Sequence, residues 1–484
     1  MHMKTPIFKV LLFALLSGVT LHAWALSPAD LALLDRITYG ATQQDIAAME
    51  RMGREAYLRE QLRYHGDENL PAAAKAAIAE LRISREGMPD FVDQMREMRM
   101  STRNDEAKRK EARQTLRKDF NELDVEAFQR RSLRALHSPD QLQEMLTWFW
   151  FNHFNVFQRK GPVRFMVADY EEQAIRPHVL GNFRDLVRAT LRHPAMLFYL
   201  DNAKNTRDKL NENYARELME LHTMGVGSGY TQADVQALAR ILTGATIDYS
   251  GKSGPALFVF APQLHDNGPK DFLGRRIEGS NTFAEIDQAL DILTKHPATA
   301  RFISTKLAVY FYGDEPPESL VERMARRFSA TDGDIAATLY AMLDSPEFAD
   351  ATKLPPKFKD PVQYVYSSLR AAYPGSMPIT FVPLNRALNE MGEPVYGHQT
   401  PDGYGMRQKD WASAAQLEKR FEFAGALAKG GSRLFRDGER IDVTGMKAYA
   451  ARRYSANTQK TLQQTRNEAE WVSLFLSAPE FMYR

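Results

Sequence analysis

Apolar residues recur at helical spacing along most of this 484-residue chain, which predicts α-helices that each bury one face. Ser27-Pro28-Ala29-Asp30 places a capping serine before a proline, and an apolar run follows at once. Thr42-Gln43-Gln44-Asp45 opens a second predicted helix. We therefore expect a mainly α fold class, with a multi-helix globular body.

Residues 138–157 form the most aromatic of these predicted helices. Ser138 and Pro139 supply a cap and a first-turn proline. The helix then continues through Trp148-Phe149-Trp150-Phe151-Asn152-His153-Phe154, with aromatic side chains on every side. A helix that is apolar all round belongs in the middle of a core, so we expect this segment to be buried.

A charged segment spans residues 72–130 and is dense in Ala, Arg, Lys and Glu. Its scarcity of helix breakers predicts a solvated helical hairpin. A basic surface for a polyanion is the alternative, but acidic residues are interspersed through residues 96–118, which argues against it.

Residues 245–280 differ from the rest of the chain because short apolar runs flank turn residues there. This pattern predicts a small β-hairpin insertion in the helical body. Proline-rich connectors begin at Pro355. We therefore expect a main helical domain over residues 26–351 and a C-terminal helical region over residues 352–484 packed on it.

The first 25 residues have the order of a secretory signal peptide. Lys4 and Lys9 precede an uncharged, mostly apolar stretch that ends in Ala23-Trp24-Ala25, a small-x-small cleavage motif. The stretch is shorter than the ~20 residues that a membrane-spanning helix needs, and it contains no twin arginine. We predict Sec-type export, a mature start near Leu26, and a periplasmic or secreted protein without a transmembrane segment.

Composition excludes several kinds of site. The chain has no cysteine, so it forms neither disulfides nor thiolate-based zinc or iron–sulfur sites. Its net charge of +2 is accounted for by the two lysines of the first 25 residues, so the remaining chain is electrically balanced. That balance argues against nucleic acid as a partner.

Candidate catalytic carboxylates lie on the predicted helix that begins near residue 210. Asn213, Glu217 and Glu220 are four and three residues apart and share one face. Paired carboxylates suit metal binding or acid–base chemistry, whereas Arg216 is close enough to draw them into a salt-bridge network. His222 lies about 140° around the helix from Glu217 at ~100° per residue, which argues against it as a third ligand.

Two histidines are further candidates. His153 lies inside the aromatic helix, where it is either a hydrogen-bonded core residue or a ligand or general base. His265 and Asp266 precede Lys270 in a predicted loop, where a histidine beside a carboxylate favours function. Simple turn chemistry is the alternative for that loop.

For a bound metal, the expected ligands are Glu217, Glu220 and His265. Carboxylate oxygens favour Ca²⁺ or Mg²⁺, and an added imidazole admits Mn²⁺ or Zn²⁺. Asp201 and Asn202 follow an apolar run. They either supply oxygen ligands to a hard cation or end a helix.

Several short sequence motifs follow one another along the chain. They are Arg36-Ile37-Thr38-Tyr39-Gly40-Ala41-Thr42, residues 148–156, residues 211–221 with 229–235, His265-Asp266 with Lys270, residues 296–300, and Pro401-Asp402-Gly403-Tyr404. Together they resemble the bacterial domain-of-unknown-function family numbered 1800, over almost all of the mature chain. The resemblance implies an exported, predominantly helical protein with no established reaction, so no residue role carries over. It also implies a partner, a co-encoded exported protein of the family numbered 1501.

We expect an exported protein of the cell envelope, a metal-dependent or acid–base hydrolase-like enzyme. Its predicted catalytic residues are Glu217, Glu220, His153, His265 and Asp266, and its predicted ligand-binding residues are Asn213, Arg216, Asp201, Asn202 and Lys270. The alternative is a non-enzymatic scaffold or export partner that binds another secreted protein, of the 1501 type, or a polysaccharide. One shared polar cleft would favour the enzyme, and scattered side chains would favour the scaffold.

Overall fold

A computed structural model describes residues 26–101, 105–248, 250, 257–349, 354–430, 434–436 and 438–484. The predicted signal peptide, residues 1–25, lies outside the described residues. Helices dominate the described part of the chain, which confirms the predicted mainly α fold class. No helix in those ranges is both long and apolar enough to cross a membrane.

The N-terminal part of the described chain is helical. Its helices are α1 (Pro28–Ile37), α2 (Gln43–Met52), α3 (Arg54–Gln61), α4 (Ala72–Ala79), α5 (Arg82–Arg85), α6 (Met88–Ser101), α7 (Glu106–His137) and α8 (Gln141–His153). Ser27 Oγ accepts a hydrogen bond from Asp30 N at 3.1 Å, and Thr42 Oγ1 accepts one from Asp45 N at 3.3 Å. Both predicted helix starts therefore form, because each side chain satisfies a free amide of the first turn.

The charged segment of residues 72–130 contains more helices than a two-helix hairpin. α4 and α5 come first, and the longer α6 and α7 follow, with α7 extending to His137. The first half of α7 is largely exposed, whereas Leu123, Ala127 and Phe128 of its second half are buried. Much of the segment's charge thus lies on the solvated half of α7, whereas Arg130, Arg131 and Arg134 of the second half are buried together with its apolar stripe.

The aromatic helix α8 begins two residues later than Pro139 predicts. Ser138 ends α7 instead, and its Oγ accepts a hydrogen bond from Asp140 N at 3.1 Å. This turn delays the start of α8 to Gln141. All 13 residues of α8 are buried, as expected for a helix that is apolar all round.

Short helices and strands make up the middle of the chain. The helical elements are α9 (Val163–Asp169), a π-helix (Tyr170–Ile175), a 3₁₀ turn (Arg176–His178), α10 (Phe183–Arg192), α11 (Pro194–Tyr199), a 3₁₀ turn (Asn202–Lys204), α12 (Asn213–Glu220), α13 (Gln232–Ile241) and a 3₁₀ turn (Pro262–Leu264). β1 (Ala245–Ile247) pairs antiparallel with β2 (Phe258–Phe260), and β3 (Lys270–Phe272) pairs antiparallel with β4 (Arg275–Ile277). The predicted small β insertion is confirmed, and it holds two strand pairs.

Helices also form the rest of the described chain. They are α14 (Ala284–Thr294), α15 (Pro297–Phe311), α16 (Glu318–Ala330), α17 (Ile335–Leu343), α18 (Pro346–Ala349), α19 (Pro361–Ala372), α20 (Val382–Glu390), α21 (Gln408–Trp411), α22 (Ala414–Ala428), α23 (Val443–Arg453), α24 (Ala456–Gln463), α25 (Glu468–Ser477) and a 3₁₀ turn (Pro479–Met482).

The C-terminal helices contact the N-terminal ones directly. Arg370 of α19 donates to Asp45 Oδ2 of α2 at 2.7 Å, and Arg484 donates to Arg36 O at 2.9 Å. Buried apolar residues from both parts of the chain form one continuous core. The domain boundary predicted near residue 352 lies outside the described residues.

Candidate functional site

One polar region, the His265–Glu285 cluster, consists of His265, Lys270 and Glu285. His265 Nε2 lies 3.2 Å from Glu285 Oε2, and His265 Nδ1 lies 2.7 Å from Thr243 O. Lys270 Nζ donates to the other carboxylate oxygen of Glu285 and to Asp266 O. The three side chains are fully enclosed, so each polar group is satisfied by its neighbours and not by bulk water.

Glu285 shows how tightly this cluster is closed. Burial alone would raise the pKa of its carboxyl group, but hydrogen bonds from His265, Lys270 and the Ser280 amide outweigh burial and lower that pKa. The carboxylate therefore stays ionised and holds the loop of His265 and strand β3 against the start of α14. This is the arrangement of a structural ion pair.

Three more predicted residues have structural partners. Arg240 donates to both carboxylate oxygens of Asp266, at 2.7 and 3.1 Å, and these bonds lower the pKa of Asp266. Asn202 is buried and donates to two backbone carbonyl groups, at 3.0 and 3.2 Å. Asp201 accepts a hydrogen bond from Lys160 Nζ at 3.2 Å. These contacts connect segments of the fold.

The predicted metal ligands do not come together. Glu217 and Glu220 lie on α12, whereas His265 belongs to the His265–Glu285 cluster. Across the described part of the chain, no three side chains of His, Asp or Glu are arranged to hold a metal ion. A site built from Glu217, Glu220 and His265 therefore has no support in this structure.

A second polar region, the Lys306–Asp402 site, is defined by the charge of Asp402, which acts on both Lys306 and Glu217. Glu220, which also acts on Glu217, is its fourth member. Glu217 and Glu220 lie three residues apart on α12 and are both partly buried. Burial raises the pKa of the Glu217 carboxyl group, and the negative charges of Glu220 and Asp402 raise it further. Glu217 therefore holds a proton more readily than an ordinary glutamate.

Arg216 forms its hydrogen bonds with residues other than Glu217 and Glu220. Its Nη2 donates to Glu212 Oε2 and to Gln232 Oε1, both at 3.0 Å. Asn213 is exposed and donates to a backbone carbonyl group at 3.2 Å. Neither of these two predicted ligand-binding residues forms a hydrogen bond with Glu217.

Asp402 lies on a loop, residues 398–404, that is held in place by Asn152 of α8 and by Asn155, two residues after this helix ends. Asn155 Nδ2 donates to two carbonyl groups of this loop, at 2.8 and 3.1 Å. Asn152 donates to Tyr404 O at 3.0 Å and accepts from Tyr404 N at 2.7 Å. The buried aromatic helix thus positions a carboxylate from a segment about 250 residues further along the chain.

Gly403 permits the close approach of this loop to α8. Its φ is +73°, which disfavours other residues, and a Cβ atom there would lie 2.1 Å from Asn152 O. Asp402 beside it accepts hydrogen bonds from Thr400 Oγ1 at 2.5 Å and from His398 Nε2 at 3.2 Å. Burial would raise the pKa of Asp402, but these bonds outweigh it and lower the pKa.

Lys306 lies on α15 and is partly buried. Among the described residues, its Nζ forms neither a hydrogen bond nor an ion pair, and it lies 5.6 Å from the ring centre of Phe302. Burial lowers the pKa of its ammonium group to about 8, and the charge of Asp402 only partly opposes this shift. Near pH 8, a large fraction of Lys306 is therefore a neutral amine.

His153 and His222 are buried next to each other, with ring centres 6.0 Å apart. His153 Nε2 lies 3.0 Å from His222 O, while His153 Nδ1 and both ring nitrogens of His222 have no partner in the described structure. Burial and the positive charge of Lys306 lower the pKa of both rings, that of His222 to about 3. Both imidazoles are therefore neutral near pH 7, so His153 adds no charge to the site.

Three residues of these two polar regions were not predicted from the sequence: Lys306, Asp402 and Glu285. Lys306 had a usable signal, because it is a single charged residue within the apolar run of residues 302–311. Asp402 also had a signal, because it lies within Pro401-Asp402-Gly403-Tyr404, one of the motifs that resemble the family. No signal in the sequence indicated Glu285, because a glutamate in the first turn of a helix is common.

A family model described as "Protein of unknown function (DUF1800)" matches residues 32–483. This match confirms the resemblance found in the sequence, and its range contains both polar regions. No curated protein and no solved structure matches the chain. Function is therefore inferred from the chemistry of the chain's own residues.

Proposed function

The chain belongs to the DUF1800 family, and we propose that it is an exported enzyme of the cell envelope that performs hydrolase-like acid–base chemistry at the Lys306–Asp402 site. One observation carries the proposal. Lys306 is a partly buried amine without a hydrogen-bond or ion-pair partner in the described chain, and its pKa is lowered to about 8. An unpaired, desolvated charge lowers stability. Such a lysine within the electrostatic reach of the Asp402 carboxylate favours a chemical role.

The two shifted pKa values suit opposite halves of a hydrolysis. The neutral amine of Lys306 takes a proton from the attacking water, and the carboxyl group of Glu217, whose pKa is raised, gives a proton to the leaving group. The ammonium and carboxylate that result exchange a proton through solvent, which restores both groups. Asp402 stays ionised and stabilises the ammonium form of Lys306.

The pKa of Lys306 is measured first, by competitive labelling of the purified protein with acetic anhydride across pH and mass spectrometry of each lysine. We expect half-maximal reactivity of Lys306 near pH 8, well below that of the exposed Lys295. This outcome reflects burial without an ion partner. Reactivity of both lysines with the same pH midpoint would remove the observation that carries the proposal.

Activity is tested with a panel of nitrophenyl esters, phosphates and glycosides, on the protein without residues 1–25. On a substrate that is hydrolysed, Lys306→Met and Glu217→Gln should each lower kcat by about 100-fold or more. Lys295→Met and Glu212→Gln are the controls and should keep the wild-type rate. Lys295 directly follows α14, and Glu212 directly precedes α12. No hydrolysis across the panel, or full activity of Lys306→Met, would contradict the proposal and favour a non-enzymatic partner of another exported protein.

Export is supported by the residue order of the first 25 positions. Fractionation of bacteria that express the full chain, followed by mass spectrometry of the N-terminus, tests it. We expect a periplasmic or secreted product that begins near Leu26. A cytoplasmic product that keeps residues 1–25 would contradict export without affecting the proposed chemistry.

A further inference from the structure

A cavity of about 360 Å³ lies between the N-terminal and C-terminal parts of the described chain. The start of α2 and the end of α7 form one side of it, and the end of α19 and helix α23 form the other. None of the residues of the Lys306–Asp402 site lines it. Its volume falls in the range of small-molecule sites, so it is a separate candidate for binding.

Much of the cavity wall is apolar. Ile46 and Leu136 line it from the N-terminal side, and Met377 and Met446 line it from the C-terminal side. Methionine side chains adapt their shape to an apolar ligand more readily than branched residues. The wall therefore suits an aromatic or branched aliphatic group.

Three polar side chains that line the cavity lack hydrogen-bond partners among the described residues: the imidazole of His137, the hydroxyl of Tyr449 and the guanidinium of Arg452. The Nε2 atom of His137 is buried and unsatisfied. Buried polar groups in proteins are normally hydrogen-bonded. The unsatisfied Nε2 atom of His137 therefore points to a ligand that would complete its hydrogen bond, whereas Tyr449 is partly buried and Arg452 is exposed.

Two of the three arginines that line the cavity are paired with carboxylates. Arg370 is paired with Asp45, with Nη2 and Oδ2 2.7 Å apart, and Arg453 is paired with Asp35. Two charged groups remain after this pairing.

One of them is Asp442, which accepts a hydrogen bond from Gly445 N at 2.9 Å as the cap of α23. The other is Arg452, which is exposed and, within the described residues, has no ion-pair partner. Arg452 is thus free to bind an anionic group, and a guanidinium binds carboxylates with two parallel hydrogen bonds. The Tyr449 hydroxyl adds a neutral donor.

We propose that this cavity binds a small amphipathic organic anion, a carboxylate whose apolar body is aromatic or branched aliphatic. The carboxylate is recognised by Arg452 and Tyr449, and the apolar body packs on the methionine-rich wall. This proposal is independent of the acid–base chemistry at the Lys306–Asp402 site, because the two regions share no residue.

The test uses two probes of the same shape, 4-(trifluoromethyl)phenylacetate and its neutral amide. Binding of each to the protein without residues 1–25 is followed by ¹⁹F NMR titration. We expect the carboxylate to bind and the amide to bind at least about 10-fold more weakly, since a hydrogen bond to a charged group is worth about 1.5–3 kcal/mol. Equal affinities, or no binding of either probe at millimolar concentration, would overturn the proposal.

Three variants locate the binding. Arg452→Gln should weaken binding of the carboxylate by at least about 10-fold. Ala73→Trp should abolish it, because Ala73 is an exposed residue of α4 that lines the cavity and tryptophan would fill the space. Arg51→Gln is the control, since Arg51 is exposed on α2 and does not line the cavity.

Thermal unfolding of each variant confirms that it is folded before the affinities are compared. Wild-type affinity in folded Arg452→Gln and Ala73→Trp would place the probe elsewhere and overturn the assignment of the cavity. Catalytic assays of the same variants keep this result distinct from the proposed function, because we expect neither change to alter hydrolysis.

Discussion

The His265–Glu285 cluster and the Lys306–Asp402 site each bury a lysine, fully in the first and partly in the second, but only the first provides an ion-pair partner. Lys270 is enclosed in an ion pair with Glu285, whereas Lys306 has no ion-pair partner in the described chain and has a pKa lowered to about 8. A partner offsets the cost of burying a charge, and an unpaired charge keeps that cost. The difference separates a group that holds the fold together from a group that is free to react.

Glu285→Ala is the most severe test of this contrast. The change leaves Lys270 and His265 enclosed without a carboxylate, so we expect the free energy of unfolding to fall by about 3–5 kcal/mol. Urea unfolding followed by circular dichroism measures this loss. Glu278→Ala is the control, because the side chain of Glu278 is 80% exposed and should change stability by less than about 0.5 kcal/mol. Equal losses in the two variants would mean that the cluster is not a structural ion pair.

The loop that carries Asp402 provides the next test. Gly403→Ala would combine a left-handed backbone with a Cβ atom 2.1 Å from Asn152 O. Gly274 is the control, because it has nearly the same φ and no atom lies within 4 Å of the position that a Cβ would take there. Gly274→Ala should therefore lower the free energy of unfolding by the backbone strain alone, about 1–2 kcal/mol. We expect Gly403→Ala to exceed that loss by about 1–3 kcal/mol because of the overlap. Equal losses in urea unfolding would show that α8 does not hold the loop.

Lys306→Met should not lower stability, in contrast to Glu285→Ala. The folded-state pKa of Lys306, about 8, lies below its ordinary value of 10.5. The charged form is therefore disfavoured in the folded state, and its full penalty is present below pH 8. Between pH 8 and 10.5 the unfolded chain keeps a proton that the folded chain releases, so this group makes stability rise with pH.

We expect Lys306→Met to be more stable than wild type by about 1 kcal/mol at pH 7, after allowing for solvent screening of a partly exposed group. The difference should shrink towards pH 10. Urea unfolding of both proteins at pH 7 and at pH 9.5 measures it, and Lys295→Met serves as the exposed control. A loss of stability in Lys306→Met would mean that the ammonium has a structural partner after all.

The smallest expected effect is on the pKa of Glu217. Glu220→Gln and Asp402→Asn each remove a negative charge that raises this pKa, so both should lower it, and the change in Glu220 should act more strongly. Arg216→Gln should act in the opposite direction because it removes a positive charge. Carboxyl ¹³C NMR titration measures all three shifts. An unchanged pKa in Asp402→Asn would separate Asp402 from the site.

Much of the fold was predictable because its signals are local. Ser27 and Thr42 mark helix starts through bonds to residues three positions away, and the aromatic sequence of α8 predicted its burial. The start of α8 was not predictable from local residues. Ser138 looks like a cap for α8, but the preceding helix α7 continues up to it and uses it as its end.

The candidate site was predictable only in part. The spacing of Glu217 and Glu220 placed them together on one helix, as found. His265 and Asp266 looked catalytic because a histidine precedes a carboxylate in a loop, but distant partners, Glu285 and Arg240, engage them. Those partners lie on other helices, and nothing in a local pattern indicates which side chain a helix will face.

The sequence by itself determined that this is a mainly helical chain with no cysteine chemistry and a buried aromatic helix, because hydrophobic spacing, caps and composition act over a few residues. Only the tertiary structure decided which charges are paired. It brought Asp402 onto the end of α8 and left Lys306 without a partner among the described residues, since pairing depends on contacts between segments that are far apart in the chain.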